Sequence, residues 1–190
     1  IKEDQVEQKK LQSDAHQEPW TFGDKFTDIN RSVIELRYRL LHYLYTAFYH
    51  YVQHGTPILR PTAFAHDTDP NATTSRDTFL FGDKILVAPV IKKGARGRKT
   101  YLPSDQWYDY HTNELLEGGK KHKVDAPLSK IPFFIKAGTV LPLREVMQYT
   151  GERDPELLEL NVYYGTKVSQ SHLYEDQGEG VAQNEGNYRL

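Results

Sequence analysis

The side chains able to do chemistry are scattered along this sequence, and few stand at a useful spacing. His42, His50 and His54 recur at steps of eight and four, and His50 and His54 alone have the i, i+4 separation at which two imidazoles on a helix can share a metal ion. No His-Glu-x-x-His pattern accompanies them. The same positions also describe a polar strip facing solvent or a neighbouring domain, and no metal site is expected there. Glu175-Asp176-Gln177-Gly178-Glu179 gathers carboxylates without the ligand alternation or the length of a calcium loop. Lys92 to Lys99, KKGARGRK, is a basic cluster, but a phosphate loop must open a helix and here a strand follows. It reads as a solvated hairpin tip. Asn71-Ala72-Thr73 fits a glycosylation sequon, a pattern that chance produces freely. There is no Gly-x-Ser-x-Gly elbow, and with no cysteine there is no thiol nucleophile, disulfide framework or thiolate metal site.

The elements that must carry these residues change character midway. Apolar residues at Ile29, Val33, Leu36, Leu40, Leu44, Ala47 and Tyr51 keep to one helical face, and Ile34, Tyr38, Leu41, Tyr45, Phe48 and Val52 form a second stripe beside it. Two adjoining stripes predict a helix over 28–53, buried around much of its circumference and roughly 39 Å long at the usual rise. Thr27 or Asp28 is expected to cap its start, and Gly55 with Pro57 its end. His66 to Asp77 reads as a turn-rich connector. From Phe79 onward short strands follow one another, with Gly82-Asp83-Lys84 marking a hairpin. Ser104-Asp105, Thr112-Asn113 and Gly118-Gly119 punctuate the later ones, and PFFIKAGTVLPL (Pro132 to Leu143) reads as strand, turn and strand. Their number and spacing predict a β-sandwich. Arg144 to Pro155 reads as a linker, with a strand over Glu156 to Tyr164 and another over Ser169 to Glu175. Ile1 to His16 is charged and weakly patterned, expected to be a loose lead-in.

Composition bounds the rest. In 190 residues, 24 Lys and Arg against 26 Asp and Glu give a net charge of -2, which argues against nucleic-acid or anionic-membrane partners. No apolar run is long enough to span a bilayer, and no secretion signal is visible at the start. The 13 tyrosines suit strand and helix packing.

Several blocks, in order, resemble glycoside hydrolase family 31: Gln17-Glu18-Pro19-Trp20 with Phe22-Gly23, Ile34-Glu35-Leu36-Arg37-Tyr38 and Gly55-Thr56-Pro57-Ile58-Leu59-Arg60-Pro61. Phe81-Gly82-Asp83 with Leu86-Val87-Ala88-Pro89-Val90, Tyr101-Leu102-Pro103 with Trp107-Tyr108, and Ile131-Pro132-Phe133-Phe134 continue it. The resemblance implies an α+β content, mainly β. A long helix from the end of a TIM-like barrel (1–64, helix 28–53) would precede a proximal antiparallel β-sandwich (75–145) and the start of a distal β-domain (146–190), whose first hairpin Tyr174 to Gly180 resembles. It also implies a parent enzyme that hydrolyses α-linked oligosaccharides with retention, without cofactor or metal.

Retention requires two carboxylates about 5–5.5 Å apart. In the family the nucleophile lies in Trp-x-Asp-Met-Asn-Glu, yet Met147 is the single methionine here and stands between Val146 and Gln148. The family's acid/base aspartate sits in Gly-Asp-Asn, whereas Gly23-Asp24 and Gly82-Asp83 are each followed by lysine. The family's Arg-x-His, whose histidine touches the sugar, is missing from the lead-in, and His16 lies too near Gln17 to replace it. No catalytic residue is therefore assigned and the substrate-binding residues are left unknown. Glu18 is expected to anchor the loop entering the helix. The chain reads as a structural part whose partner is the rest of the barrel; for the isolated chain the expectation is self-association through Ile29, Val33, Leu36, Leu40 and Leu44, or else a fold-back of the lead-in over the helix. The competing reading is a stand-alone carbohydrate-binding or interaction module with Trp107, Tyr108 and Tyr110 as an exposed platform, which requires an unburied Trp107.

Overall fold

The helix that the sequence predicts as one piece is two. A computed structural model describes residues 18–166, 169–178 and 186–190, so the lead-in, His16 and Glu179 lie outside the described residues. Helix α1 spans Asp24–Arg39 and α2 spans Leu41–His54, with Leu40 between them at φ -83° and ψ 5°. No glycine or proline marks the break, although Leu44 N still donates to Leu40 O at 2.9 Å. The start also differs from the sequence reading. Gly23, at φ 89°, turns the chain and its carbonyl accepts from Phe26 N and Thr27 N, so the helix begins at Asp24, whose carboxylate suits the positive end of the helix dipole. Thr27 and Asp28 lie inside the helix. The end is as the sequence requires: Gly55 adopts φ 66° and its N–H closes onto Tyr51 O at 2.8 Å. Two compact units divide the chain, 1–38 and 39–190.

Among the described residues of the second unit, ten short strands form three antiparallel sheets. The largest runs in the order β1 (Leu59–Pro61), β2 (Phe79–Phe81), β3 (Ile85–Val87), β8 (Phe133–Lys136), β5 (Gln106–Asp109) and β6 (Leu115–Glu117). Strands β4 (Gly97–Leu102) and β7 (Lys120–Asp125) pair separately, as do β9 (Thr139–Arg144) and β10 (Leu158–Tyr163). The chain is thus mainly β in its folded core, as the sequence predicts. Leu80, Leu86, Trp107 and Phe134 from the large sheet, with Ala88 just past β3, meet Leu102 of β4 and Val124 of β7 in one buried cluster. This is the sandwich core, and each large side chain in it contributes about 1.5–3 kcal/mol by leaving water.

Alternation sends the other half of each strand to the opposite face. Ile85 and Ile135, cross-strand neighbours, are both buried there, beside Phe81. Helix α2 covers part of this face through Tyr43, whose ring meets Phe81 edge-on at 5.5 Å. The β9–β10 hairpin covers another part through Tyr163 against Tyr108.

Pro132 to Leu143 does form strand, turn and strand, and the Ala137-Gly138 turn is a corner between sheets, since β8 pairs with β3 and β5 while β9 pairs with β10. Two expectations change here. Arg144 to Pro155 belongs to the β9–β10 hairpin and is not a linker: Arg144 ends β9, the rest lies in the loop, and six residues of β10 pair along β9. Ser169 to Glu175 is not a strand; Glu175 forms an isolated bridge with Arg189, and Ser171 Oγ accepts from Val140 N at 3.0 Å. Within the connector, Asp69 caps a one-turn helix α3 (Pro70–Thr73), accepting from Asn71 N and Ala72 N.

Candidate functional site

The residues singled out from the sequence do not converge. Glu18 is exposed, and its carboxylate makes no capping bond; the anchoring is done by its carbonyl, which accepts from Thr21 N at 3.0 Å and Thr21 Oγ1 at 2.7 Å. Trp107 is fully buried, with Nε1 donating to Pro103 O at 3.0 Å. Tyr108 and Tyr110 are half-buried, Tyr110 stacked on Phe133 at 4.3 Å. Three coplanar exposed rings are not presented. The basic cluster is only partly a solvated tip: Arg98 turns inward, pairing with Asp77 Oδ2 at 2.7 Å and donating to the carbonyls of Asp77 and Pro89. Asn71 of the sequon is exposed.

What the fold does bring together lies along α2. Tyr43 inserts its phenol between strands, donating to Phe81 O at 2.7 Å and accepting from Lys84 N at 3.1 Å. Burial, with the Asp83 charge adding to it, pushes this phenol far above its ordinary value. Gly82 is necessary for the fit: at φ 64° it sits where a Cβ would collide with the Tyr43 hydroxyl. The C-terminal segment docks on the same helix. Thr46 Oγ1 accepts from Tyr174 N at 3.0 Å, Tyr49 stacks on Tyr174 at 4.3 Å, and Tyr45 and Tyr174 both donate to the Asp176 carboxylate, at 2.6 and 2.7 Å. Desolvation and then Asp176 push Tyr45 up to about 12. Burial alone would raise Asp176, but the hydrogen bonds from Tyr45, Tyr174 and Gly178 N outweigh it and hold the carboxyl low. Asp176 is thus spent on tyrosines. The sequence showed the aromatic residues and the carboxylate but not that they belong together, since 131 residues separate Tyr45 from Asp176.

Between α2, β1, the β2–β3 turn, β9 and the C-terminal segment runs a cleft of about 300 Å³ whose lining includes His50, His54, Arg60, Asp83, Lys84 and His172. The His50 ring lies 6.0 Å from that of His54 and 6.2 Å from that of His172. Burial lowers the His50 pKa first, and His172, His54 and Arg60 lower it further against the opposing pull of Asp83. His42 is lowered by burial and by Arg144, with Glu175 opposing. Of the histidines read as a polar strip, His42 and His50 are half-buried and His54 is exposed. Among the described residues no group of three His, Asp or Glu is arranged to hold a metal ion, and no helix is long and apolar enough to cross a membrane.

The chain belongs to glycoside hydrolase family 31: residues 7–47 match the model of the family's TIM-barrel domain, and residues 55–141 match that of its C-terminal domain. Alpha-glucosidase 2 of Bacillus thermoamyloliquefaciens is 36% identical over 90% of this chain, and an alpha-xylosidase of Saccharolobus solfataricus is 34% identical over 91%. The chain spans 22% and 24% of these two relatives. Among solved structures, a Flavobacterium johnsoniae GH31 dextranase complexed with isomaltotriose superposes at TM-score 0.87, with 34% identity, over 90% of this chain and 21% of that one. A GH31 alpha-xylosidase from Xanthomonas citri gives 0.84 and 32%, over 90% and 19%.

Proposed function

We propose that the chain is the C-terminal structural part of a retaining α-glycosidase and has no glycosidase activity by itself. The observation that carries this reading is the succession of two family-domain matches, one ending inside α2 and the next beginning at Gly55, with α2 fastened to the sandwich by Tyr43. On this reading the residues through α2 complete a catalytic barrel, and the proximal sandwich opens at β1 and not at 75, since Leu59–Pro61 pair with Phe79–Phe81 and the C-terminal-domain match begins at Gly55. The β9–β10 hairpin extends that sandwich past 145, and the remainder of 146–190 begins a distal β-domain. The partner is the rest of the barrel, and the natural surface for it includes the exposed side chains Phe48, Tyr51 and Val52 of α2. The stripe proposed for self-association is less suitable, because Leu40 within it is only 8% exposed. The α-linked oligosaccharide is the substrate of the whole enzyme, cleaved between two carboxylates without cofactor. The platform reading is disfavoured by the burial of Trp107.

Two assays test the proposal. Aryl α-glucosides and α-xylosides incubated with the isolated chain should show no turnover; activity that survives repurification and disappears in Glu18→Gln overturns the claim of inactivity. Exchanged into the Bacillus alpha-glucosidase 2 in place of its corresponding segment, the chain should preserve activity, whereas deletion of that segment should abolish it. A deletion variant that remains active refutes the structural role.

A further inference from the structure

We propose that the cleft beside α2 is a binding site for a divalent oxyanion of the phosphate or sulfate type. Its walls bring basic groups from four places in the chain: His50 and His54 on α2, Arg60 on β1, Lys84 beyond the β2–β3 turn, and His172 on the C-terminal segment. Against these stands one acid, Asp83, and Lys84 Nζ already holds it at 2.9 Å. Ser171, also in the lining, accepts Val140 N at its Oγ, so its own O–H is available to donate. The space, about 300 Å³, admits an oxyanion with a small organic group attached.

The charges in this cleft are arranged against one another. Arg60 is permanently cationic, and His50 is disfavoured as a cation by burial and by His172, His54 and Arg60, with Asp83 alone favouring it. A dianion among these groups adds an attraction to every cationic one of them, which offsets the repulsions that disfavour the His50 cation. Arg60 and the imidazoliums supply donors only, which is what a fully ionised oxyanion accepts. A metal ion does not fit the same place. The His50 and His54 rings are stacked at 22° to one another, and no trio of ligating groups converges among the described residues.

Linkage gives the site a signature. An anion that binds the protonated histidines better must raise their pKa values, and acidification must tighten the anion to the same extent. Sulfate is the suitable probe because its own charge does not change between pH 5.5 and 7.5. Histidine ring resonances of the full chain are followed by NMR during titration with sodium sulfate, with sodium chloride at matched ionic strength as control. The expected result is saturable shifts at His50, His54 and His172, an apparent Kd about tenfold lower at pH 5.5 than at 7.5, and a raised His50 pKa at saturating sulfate. His172→Gln and Arg60→Gln should each weaken binding about tenfold while the remaining resonances stay dispersed. Equal effects of chloride and sulfate, a Kd indifferent to pH, or an unchanged His50 pKa at saturation each overturn the proposal, and the last of these needs only the unsubstituted chain. Inorganic phosphate at pH 7.5 should compete with sulfate for the same shifts; failure to compete overturns it also.

Discussion

Replacing Tyr43 by Phe removes one oxygen atom and tests how α2 is held to the sheet. The phenol is 8% exposed and satisfies two backbone groups at once, Phe81 O at 2.7 Å and Lys84 N at 3.1 Å, in the turn that joins β2 to β3. A typical hydrogen bond contributes about 0.5–1.5 kcal/mol net, and a buried group left without its partner costs about 1–3 kcal/mol. Since the ring contact with Phe81 survives in Tyr43→Phe, the packing contribution is retained and the polar loss is isolated, at about 1–3 kcal/mol in all. Urea denaturation of the chain, followed by the fluorescence of its two tryptophans, of which Trp107 is buried and Trp20 exposed, should show a lower midpoint with an unchanged slope. Tyr164→Phe, at a side chain 79% exposed, is the control and should change nothing. Gly82→Ala should cost at least as much as Tyr43→Phe, because the added methyl meets the Tyr43 ring and the left-handed backbone disfavours any Cβ. A Tyr43→Phe loss no greater than that of Tyr164→Phe would refute the claim that this phenol fastens helix to sheet.

Two further outcomes follow from the same helix. Leu40→Asp places a charge in a buried position and should destabilise the chain by several kcal/mol, while Val52→Asp, at 74% exposure, should leave stability within about 0.5 kcal/mol and reduce any self-association seen by light scattering; the reverse pattern would sink the assignment of faces. Because the folded pKa values of His42 and His50 lie below the ordinary 6.5, their contribution to stability is complete above about pH 6.5 and is lost as the pH falls through the folded values. Denaturation midpoints in chloride buffers should therefore drop between pH 7 and 5, and His42→Gln with His50→Gln should flatten that drop; an undiminished slope in the double variant would refute it.

Short-range physics made much of this protein legible from its sequence. The Gly55 stop and the Gly82-Asp83-Lys84 hairpin depend on neighbours in the chain, so residue type and spacing suffice to predict them. The family resemblance likewise carried the expectation that no catalytic residue is encoded, since the motifs it rests on are runs of contiguous residues. The break at Leu40 was not legible, because no residue there disfavours a helix and only the packed structure settles the backbone. Neither was the partnership of β9 with β10: alternation tells which face a strand presents but not which strand lies beside it, and Ala137-Gly138 suits a corner as well as a hairpin. Arg98 shows the same limit, reading as one more charge at a hairpin tip until Asp77, 21 residues earlier, turns it inward. The tyrosine cluster on Asp176 and the histidine cleft are tertiary for the same reason. Their members come from α2 and from a segment more than a hundred residues later, and only closure of the whole unit brings them within hydrogen-bond and charge distance.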